Sequence, residues 1–155
     1  ICTDTAGAIR YTTNLITGST LFSTSKASII NLATDGVPNS QSAAEAAAQW
    51  SFTQGIDALS IEAIGSGVNS GSALNNMLQI AFPGPATLLA LNSTNIPNPI
   101  GGSWVVPVSD FDALAPVLKA KVIASVKPPV SVPESNSLIL LVLGLACLRL
   151  ARKRA

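Results

Sequence analysis

The chain has 155 residues, close to the ~150 expected of one domain, and is 48% hydrophobic but only 11% charged, where an ordinary soluble domain carries about 25% charge. A mean hydropathy of +0.46 excludes disorder of the whole chain and points to a membrane segment, and the lack of any His removes histidine triads, the HExxH zinc helix and imidazole proton shuttles. Arg149, Arg152, Lys153 and Arg154 supply four of the nine basic residues; without them five face eight acidic ones, a body at −3 that does not attract nucleic acid.

Residues 5–15 place Ala8, Ile9, Thr12 and Leu15 at helical spacing, with Gly18 as the stop. Residues 28–34 (SIINLAT) read as a strand running into the turn Asp35-Gly36-Val37-Pro38-Asn39. Ser42 with Glu45 three residues on predicts a capping box opening an Ala-rich helix through Gln54, stopped by Gly55. Residues 57–64 are a second strand, 65–71 a glycine-rich turn, and 72–82 a helix ended by Pro83. Residues 86–91 read as a helical continuation and 92–99 as loop. Residues 103–108 are a third strand, placed at or near an edge by Pro107, and 111–126 a last amphipathic helix capped by Ser109 or Asp110, with Pro116 as a kink.

This alternation predicts an α/β fold: part of a doubly wound, mainly parallel sheet of three or so strands with helices on both faces. The first helix has no strand ahead of it, and the chain begins at Ile1. The expectation is therefore the second half of such a domain, with its central strand upstream.

After residue 127 comes a Pro-rich linker (128–136), then the apolar run 138–148 and a basic end. Eleven apolar residues fall short of the roughly 20 that span a bilayer. Counting 137–151, with Arg149 snorkelling, gives a marginal span, so 137–155 is expected to be a membrane helix and basic tail. The positive end stays cytoplasmic and the domain lies outside. Cys2 and Cys147 sit at opposite ends and are not expected to pair; Cys2 is either a buried free thiol or half of a disulfide with an upstream partner.

The turn Gly65-Ser66-Gly67-Val68-Asn69-Ser70-Gly71 lies between strand and helix, where a dinucleotide fingerprint would be, but its third position is Ser70 and no acidic residue occurs between Glu62 and Asp110 to hold a ribose. Asp110 and Asp112 read as helix-start residues, and Asn92-Ser93-Thr94 is a formal glycosylation sequon. Thr3, in a loop before a helix, and Asp35, directly after a strand, offer hard oxygen ligands where parallel sheets bind theirs.

The runs CTDTAGAIRY, INLATDGVPNSQSAAEAAAQ, GIDALSIEAIG and WVVPVSDFDAL resemble the second half of a von Willebrand factor type A domain, of a poorly characterised bacterial group, from Cys2 to about Val126. The resemblance implies a metal-ion-dependent adhesion site in which Thr3 and Asp35 match the family's Thr and late Asp. The family's DxSxS motif is absent from this sequence, so the implied site is incomplete. Mg2+ or Ca2+ is expected in the intact protein and none for this piece. The tail resembles a PEP-CTERM sorting signal: Val132, Pro133, Glu134 and Ser135, then the apolar run, then Arg149, Arg152, Lys153 and Arg154. Ser135 replaces the family's second Pro. This implies an exosortase-type processing enzyme as partner and a brief stay in the inner membrane, with the domain on the periplasmic side before it reaches the cell surface or extracellular matrix. The expected function is non-enzymatic: a surface-directed binding or adhesion domain, 1–127, for a protein or exopolysaccharide ligand. The alternatives are a Rossmann-like nucleotide-binding enzyme with a tail anchor, or a structural spacer with a vestigial metal site.

Overall fold

A computed structural model describes residues 3–126. Four parallel strands, β1 (Ile29–Thr34), β2 (Ala58–Ile64), β3 (Thr87–Leu88) and β4 (Trp104–Val108), lie in the order β1-β2-β4-β3. The helices are α1 (Thr5–Thr17), α2 (Gln41–Thr53), α3 (Gly71–Ile80) and α4 (Phe111–Val126).

Three of the four helices start where a side chain takes up an orphan N–H; α3, with Ser70 at its N-cap, makes no such bond. Asp4 Oδ1 accepts from Gly7 N at 2.9 Å to open α1. For α2 the cap is Ser40, whose Oγ accepts from Ala43 N at 3.2 Å. This corrects the expected Ser42–Glu45 box: Glu45 is engaged by Gln41 Nε2 at 2.8 Å, one turn back along the same face. The buried positions of α2 (Ala44, Ala47, Ala48 and Ser51) are all small and fall at helical spacing, which lets α1 pack close. Thr13 and Ser51 join the two helices by a buried 2.7 Å hydrogen bond.

Side-chain alternation divides the sheet between two cores. Leu59, Ile61, Ala63 and Val105 face α1, α2 and α3, with Ile9, Ala47, Met77 and Ile80 among the residues packed on them. Ile64, Trp104, Val106 and Val108 face the side covered by α4, through Val117. Both faces of the sheet therefore carry helices, and β2 is buried along its full length, as a central parallel strand should be.

Two expectations are corrected. Residues 86–91 are not helical: Thr87 and Leu88 form a fourth strand, parallel to Trp104 and Val105. α3 ends at Ile80 because Phe82 leaves the helix to exchange backbone hydrogen bonds with Leu59, at 2.8 and 3.1 Å. β4 lies next to the edge strand β3, near the edge as Pro107 suggested, and Pro107 is tolerated because β3 reaches only Trp104 and Val105. The Pro107 carbonyl points to that vacated side, accepting from Asn92 N at 2.8 Å, so the missing N–H also falls where no strand needs it.

Among the described residues β1 pairs with β2 alone, at the edge of the sheet. Apolar surface flanks it on both faces: a groove of about 300 Å³ lined by Leu15, Ile16, Leu21 and Phe22 on the α1 side, and one of about 280 Å³ lined by Ile29, Leu118, Val122 and Val126 on the α4 side. Leu15, Leu21, Val122 and Val126 are all more than half exposed. Among the described residues no helix is long and apolar enough to cross a membrane; the expected span at 137–155 lies outside them.

Candidate functional site

The carboxyl ends of the strands gather the residues singled out in the sequence. Thr3 forms a parallel bridge to Pro38, and Asn39 N donates to the Thr3 carbonyl at 2.9 Å. The entry to α1 is thereby laid beside the loop that leaves β1. Thr34 Oγ1 tightens that loop by donating to the Gly36 carbonyl at 2.9 Å and accepting from Gly36 N at 3.3 Å. Thr3 Oγ1 presses so closely on Gly36 that a side chain there would overlap it. Gly67 backs the loop from the other side, since a Cβ on it would lie 3.4 Å from the Asp35 carbonyl. Thr3, Asp35 and the glycine turn after β2 thus meet at one end of the sheet, where open α/β sheets bind their ligands.

Asp35 is exposed. Asp4, next to Thr3, is committed to capping α1, so the structure separates the two acidic residues into a free carboxylate and a cap. Among the described residues no cluster of three or more Asp, Glu, His or Cys could hold a metal ion. Thr3 and Asp35 provide one neutral and one charged oxygen donor, fewer than the six or more oxygens a hard cation takes.

The glycine turn is held by internal bonds. Gly65 adopts φ +77°, a region open to glycine, and its N–H donates to the Val108 carbonyl at 2.8 Å. Val68 N and Asn69 N both donate to the Gly65 carbonyl, and Asn69 Nδ2 donates to Val108 O at 3.1 Å. Val68 N and Asn69 N are thus spent inside the turn, and Gly65 N and Asn69 Nδ2 on the end of β4. At the end of β4, Asp110 caps α4 by accepting from Ala113 N at 2.9 Å and from Ser109 Oγ at 3.0 Å, and the Ala113 bond, followed by Ser109, holds its carboxyl below the usual range. Asn92 of the sequon is tied to Ser109 through both ends of its amide, at 2.8 and 3.1 Å.

One polar cluster escaped the sequence reading. Glu62 is fully buried in β2, with Lys121 Nζ 3.1 Å from its Oε1, and that ammonium sits 4.5 Å from the centroid of the Trp104 ring. Burial raises the Glu62 carboxyl above its ordinary value, with Lys121 pulling it part-way back. Burial likewise lowers Lys121, against the pull of Glu62. The only hint in the sequence was a lone carboxylate inside an apolar strand.

Val132, Pro133, Glu134, Ser135, Arg149, Arg152, Lys153 and Arg154 lie outside the described residues, as do Cys2 and Cys147. Comparison of the chain with protein-family models, curated proteins and solved structures finds no match.

Proposed function

We propose that this chain is the later half of a von Willebrand type A-like binding domain, sorted to the cell surface through its tail, that engages a macromolecular ligand at the carboxyl end of its sheet. The observation carrying this reading is the convergence of Thr3 and Asp35 at that end, with Asp35 exposed and Thr3 fixed against the adjoining glycine. The open edge of β1, with apolar grooves on both faces, supports a sheet that continues into a further strand, since a buried parallel strand is apolar on both sides. In this reading the remaining cation ligands come from that upstream part, and a carboxylate of the ligand completes the shell of Mg2+ or Ca2+.

Titration calorimetry of the full-length protein with Mg2+ and Ca2+ tests the proposal. Asp35→Ala should abolish the binding heat by removing the charged oxygen donor, whereas Asp4→Ala should retain it because that carboxylate caps α1. Equal affinity in the wild type and Asp35→Ala would refute the site.

A further inference from the structure

On the α4 face of the sheet, four side chains are brought together from four elements. Glu62 of β2 has no exposed surface; its Oε1 receives Lys121 Nζ of α4 at 3.1 Å, and its Oε2 is buried with no hydrogen-bond partner among the described residues. Trp104 of β4 lies against the same ammonium. Asn31 of β1 stands across the strand pair, opposite Ser60, two residues along β2 from Glu62. Its amide is near enough to influence the Glu62 carboxyl, and it lines the same groove as Lys121.

An ion pair alone is a poor use of this arrangement, because two charges removed from water recover their hydration only when every remaining lone pair is satisfied, and Glu62 Oε2 is not. Burial acts on both groups in the same sense, toward a carboxylic acid beside a free amine. A free amine is a nucleophile, a carboxylic acid can polarise a carbonyl and carry protons, and the neighbouring Asn31 carboxamide is an electrophile with a leaving group.

We propose that Lys121 and Asn31 become joined by an intramolecular isopeptide bond, formed with Glu62 as the proton carrier. The Lys121 ammonium first gives a proton to the Glu62 carboxylate. Nζ then attacks Asn31 Cγ while the Glu62 acid hydrogen-bonds the amide oxygen. Glu62 moves a proton from Nζ to the asparagine nitrogen, the Cγ–Nδ2 bond breaks, and ammonia departs through the open groove. A primary amine and a primary amide become a secondary amide and ammonia, with no change of oxidation state and no co-reactant. The product ties β1, paired only with β2 among the described residues, to the helix that covers this face of the sheet.

The test is the intact mass of the full chain purified without denaturant, followed by proteolysis and peptide sequencing. The expected wild-type mass lies below the sequence mass by one ammonia, with a branched peptide joining Asn31 to Lys121 and no cleavage by trypsin after Lys121. Lys121→Arg and the near-isosteric Glu62→Gln should both restore the full expected mass, with circular dichroism confirming that each is folded. A wild-type protein at its sequence mass overturns the proposal. So does an ammonia loss that survives in Lys121→Arg, which would mark cyclisation of Asn31 onto its own backbone. A cross-link that persists in Glu62→Gln overturns the role given to Glu62.

Discussion

Replacing Gly36 with alanine tests whether Thr3 and the Asp35 loop meet as described. Gly36 does not occupy the left-handed region, so on backbone grounds Gly36→Ala should stabilise the protein by about 0.4–1 kcal/mol through the unfolded chain. The new Cβ, however, would overlap Thr3 Oγ1. Thr3 is β-branched, so of its two other χ1 wells one puts the methyl group in the same space, and relief is confined to the single rotamer that turns Hβ toward Gly36. Over-packing of this kind costs about 1–3 kcal/mol, more than the backbone gains, and the net expectation is a loss of about 1–2 kcal/mol. In a Thr3→Ala background the overlap disappears, because the remaining contact is an ordinary 3.6 Å approach to Thr3 Cβ. The same substitution should then turn neutral or stabilising. Urea unfolding of the four proteins of this double-mutant cycle reads the coupling directly. A neutral or stabilising Gly36→Ala in the wild type, or an equal loss in both backgrounds, would refute the placement of Thr3 against the Asp35 loop.

Three further outcomes are expected. In calorimetry of the full-length protein, Asp35→Ala loses divalent-cation binding and Asp4→Ala keeps it, the contrast set by the capping bond to Gly7 N. The carboxyl of Asp110 is held below its ordinary value by Ala113 and Ser109, so its contribution to stability is present above the unfolded carboxylate pKa and is lost as pH falls through the folded one. Asp110→Ala should therefore lower Tm at neutral pH, and the difference from wild type should vanish below that lower value; a difference that persists unchanged into strong acid contradicts the cap. Mass spectrometry of protein recovered from the cell surface should find chains ending near Val132 to Ser135, and a surface species still carrying residues 138–155 would favour a simple membrane anchor.

Much of the fold was legible because it depends on local chemistry. The helical spacing of residues 5–15 and the Ala-rich run after Ser42 marked α1 and α2, but the buried face of α1 was not legible, since of Ala8, Ile9, Thr12 and Leu15 only Ile9 is buried, in a row with Thr5 and Thr13; Asp35 stood out because a strand and a turn residue bracket it. β3 was not legible, since two exposed residues, Thr87 and Leu88, are too few to show an alternation. The end of α3 was missed because Ala81 and Phe82 continue its apolar pattern while their backbone is drawn to Leu59. Choosing Ser40 over Ser42 as the cap needed the backbone geometry of the turn. The Glu62–Lys121 pair spans 59 residues and exists only because α4 crosses back over β2, which no spacing rule encodes. The convergence of Thr3 with Asp35 was readable from their places before a helix and after a strand, whereas the tight approach of Thr3 to Gly36 belongs to the packed loops.

In the function proposed for this domain, its ligand is bound at the carboxyl edge where Thr3, Asp35, Gly36 and Gly67 meet. Titration of Mg2+ into isotopically labelled full-length protein, followed through backbone amide signals, tests it most directly. The signals of Thr3, Asp35, Gly36 and Gly67 should shift together along one saturating curve and stay still in Asp35→Ala. Shifts that arise instead around Asp110 and Asp112, or a spectrum unchanged by saturating Mg2+, would contradict it.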